Sequence, residues 1–290
     1  LLVPGAVFEE LTEVMDLLEH GLMLVTLPSS DMEDFGDKKL RNLKQLDKVF
    51  GRVESIAAPV RDDEVHSIIR QRLFEEITDR AEVQVIIDRY FNKYQEHKGD
   101  LPDKVRDASF RQQMVDSYPF HPDVINVLYE KWSTFPTFQR TRGALRLLAN
   151  VIEHLWEEDI DIELILPGDI SLEKPEIRRE FLDHIGQEYD GVISSDIAGG
   201  DAKSQALDRK HRDWKHLAER IATSVFLHSF SAGEAENGVK MPYIKLSVLR
   251  PDTTAALVTE VIQRQANELW YLNQRAEEFY VQAAEAAGAS

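Results

Sequence analysis

Residues Phe138–Ile152 read FQRTRGALRLLANVI. Three arginines, Arg140, Arg142 and Arg146, crowd the front of this stretch; a glycine sits among them, and an apolar helical pattern follows. At about 100° per residue, a helix beginning near Thr141 gathers Leu145, Leu148, Ala149, Ile152 and Trp156 into one stripe. Arg142 and Arg146 then stand together on the edge of that stripe, roughly 40° apart. The start of a helix carries unpaired N–H groups and a partial positive charge, so acids are favoured there and cations are not. Three arginines at that end make electrostatic sense around an anion. The other reading is surface arginines paired with scattered carboxylates, and the pattern leaves both standing.

Around this helix the same periodicity recurs. Residues 62–74, 80–97, 104–117, 121–132 and 142–157 read as helices, punctuated by Pro119, Pro122 and Pro136, which makes a helical bundle. Upstream, residues 7–19 and 38–50 have helical spacing, while LMLVTL (22–27) and RVESI (52–56) read as short strands, the tail of an α/β sheet. Downstream, residues 153–208 hold 16 Asp/Glu against 4 Lys/Arg and several glycines, which suggests a looser acidic connector. DIDIE (159–163) reads as the solvated open face of a strand rather than a metal site. Residues 213–230 and 252–269 read as helices, the second capped by Asp252. YIKLSVL (243–249) alternates as a strand, and 270–272 with 278–281 as a small hairpin, together a winged-helix-like tail. The fold class expected is mainly α with a small α/β part. The divisions are 1–60 for the partial α/β core, 61–160 for the helical bundle, 161–212 for the connector and 213–290 for the winged-helix-like domain.

Composition narrows the function. The 290 residues carry a formal charge of −18 and no cysteine. Such acidity disfavours general nucleic-acid binding, which rests on cations meeting phosphates. Without cysteine there are no disulfides and no cysteine-ligated metal, which fits a cytoplasmic protein. No apolar run reaches membrane-spanning length. The first residue is Leu1, followed shortly by Pro4-Gly5, and the chain reads as a fragment whose N-terminus lies upstream. His121, between prolines in PFHPD, reads as a helix cap. His211 and His216 are badly spaced for a shared metal, and no metal site is expected. Trp132, Trp156, Trp214 and Trp270 read as core residues.

RTRGALRLL resembles the sensor 2 motif of AAA+ ATPases, a Gly-x-x-Arg at the start of a lid helix. The resemblance implies that Arg146 reaches the γ-phosphate of ATP, with Arg142 beside it and Gly143 giving the backbone close approach. MLVTLPSS (23–30) is similar to the sensor 1 strand, with Thr26 in the polar position and Ser29 and Ser30 behind it. VFGRVESI (49–56) resembles the stretch carrying an arginine finger, which places Arg52 in that role. DDEVHSIIRQRLF matches the first lid helix, so sensor 1, finger, lid and sensor 2 follow in the family's order. More narrowly, TLPSSDME, SYPFHPDVINVLYEKW and FQRTRGALRLLA are similar to large prokaryotic AAA+ ATPases encoded beside DNA methyltransferases in phage-defence islands.

The chain departs from that family in lacking GxxxxGK[ST] and an apolar strand ending in Asp-Glu. ATP and magnesium are therefore expected only with an upstream half, and this chain alone is not expected to hydrolyse ATP. The resemblance further implies a homo-oligomer at full length and a partner protein such as a DNA methyltransferase. Direct DNA reading by the tail stays open, since 252–269 offers only Arg264. A non-catalytic scaffold that binds a partner and never meets nucleotide is the competing expectation.

Overall fold

The computed structural model describes residues 65–75, 79–232 and 238–283. The chain divides into two compact units, Leu1–Arg61 and Asp62–Ser290, and the described residues all lie in the second. The expected helices 7–19 and 38–50, the strands 22–27 and 52–56, and the candidates Thr26 and Arg52 lie outside the described residues.

The unit is mainly helical with one small antiparallel sheet. In chain order come α1 (Val65–Leu73), α2 (Arg80–Glu96), α3 (Ala108–Ser117), α4 (Pro122–Glu130), α5 (Arg140–Glu157), α6 (Pro175–Ile185), α7 (Lys203–Lys210) and α8 (Leu217–His228). They are followed by β1 (Val239–Lys240), α9 (Met241–Val248), α10 (Ala255–Glu268), β2 (Leu272–Arg275) and β3 (Glu278–Val281). The sheet order is β1-β3-β2, with Leu272 opposite Val281 and Val239 opposite Phe279.

Local chemistry sets the helix starts. Asp79 accepts from the amides of Ala81 and Glu82 and opens α2, and Asp107 accepts from Ser109 N to open α3. His121 caps α4: its Nδ1 accepts from Asp123 N at 3.1 Å, and Pro122 occupies the first helical turn. Thr254, not Asp252, caps α10, accepting from Leu257 N at 3.2 Å. Asp252 instead pairs with Lys215.

One apolar core runs from α1 to β3. Trp132 is fully buried, its ring 4.5 Å from Phe181 of α6 and 6.2 Å from Phe226 of α8, and its Nε1 donates to Leu227 O at 2.9 Å. The bundle, the acidic stretch and the tail therefore meet at a single residue. A smaller core joins Ile87, Tyr90, Tyr94, Phe110 and Met114 to Leu246 and Leu249.

Three expectations change. The acidic stretch is not a loose connector: Leu164, Leu166, Ile170, Leu172, Ile177 and Phe181 are buried, and so are the carboxylates of Asp169, Asp196 and Asp208, while Glu157, Glu158, Asp161 and Glu173 are exposed. YIKLSV (243–248) is helical within α9, with Pro242 in its first turn, and Leu249 is its extended C-cap. Ile244 through Val248 are all buried, so alternation carried no information about period there. DIDIE lies in irregular backbone, and Asp159 has φ of 51°. The expected hairpin is present as β2 and β3, joined by β1 as a third strand.

Candidate functional site

The arginine stretch forms α5 as the spacing predicts, but its buried stripe is shifted. Ala144, Leu147, Leu148 and Val151 are buried, Leu145 and Ile152 only partly so; Ala149 is exposed and Trp156 is 86% exposed. Gln139 adopts left-handed φ of 56° and no side chain caps the helix. Gly143 is explained by the turn before it: a Cβ there would lie 1.8 Å from the carbonyl oxygen of Phe138, which no side chain tolerates.

Arg142 is exposed, with no ion pair or side-chain hydrogen bond among the described residues. Arg146, one turn on, is half exposed and gives Nε and Nη2 to Glu180 Oε2 of α6 at 2.7 and 2.6 Å. The two arginines thus share one helix edge, one open and one held by a carboxylate. The arginine side of the pair is 52% exposed and the glutamate side 16%, so solvent reaches Arg146 while Glu180 is largely covered.

Residues far apart in sequence build a second cluster. Asp169, its side chain 2% exposed, accepts through Oδ1 from Arg220 Nε at 2.6 Å and Arg250 Nη2 at 2.9 Å. Its Oδ2 accepts from Leu166 N at 2.9 Å. Gly168 makes the junction possible: a Cβ there would sit 2.8 Å from both Arg220 O and a Val248 methyl. The arginines form part of the wall of a cavity of about 720 Å³ bounded by α8, the end of α5 and the segment 168–175.

Titratable groups cluster nearby. Asp208, His216 and Glu219 bring one ligand atom each within 4.8 Å of one another. Both Asp208 oxygens accept from helix amides, Ala218 N and Glu219 N, each at 2.9 Å, so its carboxylate caps α8. Burial pushes Glu219 up to about 7, against a side-chain bond from Gln205. His121, fully buried against Tyr94 and Phe110, is held down to about 4 by burial, with Asp123 opposing. His211 stacks on Trp214 and bonds Arg264.

Sequence reading placed Arg142, Gly143 and Arg146 together; in the structure Arg142 and Arg146 lie on the exposed edge of α5, while Gly143 is buried against the Phe138 carbonyl. It missed Asp169, Arg220 and Arg250, because each is an unremarkable charge in its own segment. The one local signal was Gly168-Asp169, read as loop punctuation. Among the described residues no helix is long and apolar enough to cross a membrane.

Residues 60–262 are similar to one protein family, described as the DUF499 second domain, and the match spans more than two thirds of the chain. No curated protein and no solved structure matches.

Proposed function

The chain belongs to the DUF499 second-domain family, and on that premise we propose that it is the lid and tail of an AAA+ ATPase. The observation that carries this is the Arg142–Arg146 edge: two cations one turn apart near the start of a long helix, one without a partner among the described residues and one half exposed and paired with Glu180. Both are accessible to a phosphate brought by a nucleotide-binding core, and their charge fits a γ-phosphate. Bound ATP supplies the phosphoryl group. Arg146 leaves Glu180 to stabilise its charge, and Arg142 supports it. Thr26 and Arg52 take the water-placing and finger roles, and magnesium comes with the core. The assembly is a homo-oligomeric motor or switch in prokaryotic phage defence or DNA modification, cytoplasmic, with a DNA methyltransferase as the kind of partner.

The reading is tested on the reading frame upstream of the Leu1 codon and on the protein it encodes. A strand–GxxxxGK[ST]–helix, and ATP-dependent assembly of that protein, support it. A frame without a phosphate loop sinks it.

A second reading, a non-catalytic partner-binding module, is favoured by Trp156 and Trp270, exposed at 86% and 68%. Large exposed aromatics commonly anchor protein interfaces. Loss of partner capture in Trp156→Ser with ATP turnover unmeasurable in the full protein selects it.

A further inference from the structure

We propose that the outer face of α5 is a self-complementary contact, through which two copies of this chain pair antiparallel about Ala149. The second copy is what covers Trp156. The contact does not rest on the nucleotide reading, and a phosphate at Arg142 would compete with it.

α5 buries Ala144, Leu147, Leu148 and Val151 in the core, but its apolar sector extends past them. At about 100° per residue, Leu145, Ile152 and Trp156 all lie within about 60° of Ala149. Leu145 and Ile152 are only partly buried, Ala149 is exposed and Trp156 is 86% exposed. This second stripe therefore opens to solvent, and an exposed tryptophan on it is a common interface anchor.

Charge decides what fits there. The polar flank of the stripe carries Arg142 and Arg146 toward the start of α5 and Glu153 and Glu157 toward its end, all four exposed. Arg146 and Glu157 are engaged with Glu180 and Lys174. Arg142 and Glu153 have no ion pair or side-chain hydrogen bond among the described residues. A parallel copy would set arginine beside arginine, which is repulsive. An antiparallel copy reverses the gradient, and the positive start of each helix then meets the negative end of the other.

The register follows from a two-fold axis at Ala149. At a rise of about 1.5 Å per residue, Leu145 of one copy comes level with Ile152 of the other, Arg146 with Glu153 and Arg142 with Glu157, each to within about 2 Å. Glu153 is also within about one turn of Arg142, and the Trp156 ring comes level with that guanidinium, where a cation–π contact forms. Ala149, small and on the axis, lets the helices approach to about 8–10 Å. Such an isologous contact closes as a dimer and does not extend into a ring. The chain's charge of −18 repels a second copy at long range and keeps the dimer weak.

The test is sedimentation velocity of the whole chain without nucleotide, from about 2 to about 200 µM, with a monomer–dimer Kd on the order of 10 µM expected for a small contact. Ala149→Glu sets like charges against each other at the axis and should raise Kd by at least about tenfold. Arg142→Glu and Glu153→Arg should each weaken the dimer. Mixing those two variants should restore most of it, because each supplies the charge the other lacks. All three positions are exposed, so the variants should fold. A chain that is still monomeric at about 200 µM overturns the proposal and leaves the stripe to a different protein. So does a dimer that tolerates Ala149→Glu, or a pair of charge variants that stay apart when mixed.

Discussion

Replacing Asp169 by alanine tests the packing account most sharply. The carboxylate is 2% exposed and serves three donors: Arg220 Nε, Arg250 Nη2 and the Leu166 amide. Removing one partner of a buried ion pair costs about 3–5 kcal/mol, because the other charge stays behind unpaired. Orphaning the Leu166 amide adds about 1–3 kcal/mol, partly overlapping with the first loss. Asp169→Ala should therefore cost about 4–6 kcal/mol, a large part of the roughly 5–15 kcal/mol that holds a domain folded. Asp169→Asn keeps an acceptor for Leu166 and should cost less, about 2–4 kcal/mol. Asp252→Ala breaks an ion pair whose side chains are 70% and 51% exposed, and should cost under about 1 kcal/mol. Urea unfolding followed by far-ultraviolet circular dichroism measures all three. An Asp169→Ala loss no larger than that of Asp252→Ala would refute the view that this junction ties α8 and the segment after α9 to residues 166–169.

Other consequences follow from single sites. Gly143→Ala forces a Cβ into the Phe138 carbonyl and should lower stability by about 2–3 kcal/mol, read as a drop in melting temperature. His121 titrates in the folded state near 4, below its unfolded value. It therefore supports folding above about pH 6.5, and on the order of 3 kcal/mol is lost as pH falls through 4. His121→Asn, which keeps a capping acceptor, should flatten that acid limb in pH-dependent unfolding. Glu219 has the opposite sign: raised to about 7, it favours the folded state at low pH, and about 2 kcal/mol disappears as pH rises from 4.5 through 7. Glu219→Gln should remove this fall. Trp132→Ala should cost about 3–5 kcal/mol, whereas Trp156→Ser should stay within about 0.5 kcal/mol, since one ring is enclosed and the other is 86% exposed.

The helices of the bundle were legible because they bury one face only, so a 3.6-residue period survives in the sequence. α5 shows the limit of that signal. Leu145 and Leu147 both compete for the core, and only the packed neighbours decide that Leu147 is enclosed and Trp156 is not. α9 was misread for a different reason: when every residue from Ile244 to Val248 is buried, neither period leaves a trace. The acidic stretch 153–208 misled through composition. Its charges are real, but its leucines, isoleucines and Phe181 pack inward between them. His121 was legible as a cap because the chemistry is local, two residues to Asp123 N. The Asp169 cluster was not, since its partners lie 51 and 81 residues away.

The most direct test of the central claim is steady-state ATP hydrolysis by the full gene product, comparing wild type with Arg146→Ala and Arg146→Lys, with Glu180→Gln as a control. Freed from Glu180, Arg146 should act at least as well, so Glu180→Gln should keep or raise turnover. Arg146→Ala should lower it by about 100-fold, on the scale of losing one transition-state donor, with only partial recovery in Arg146→Lys. Turnover unchanged in Arg146→Ala would contradict the account and leave Arg142 and Arg146 as surface cations.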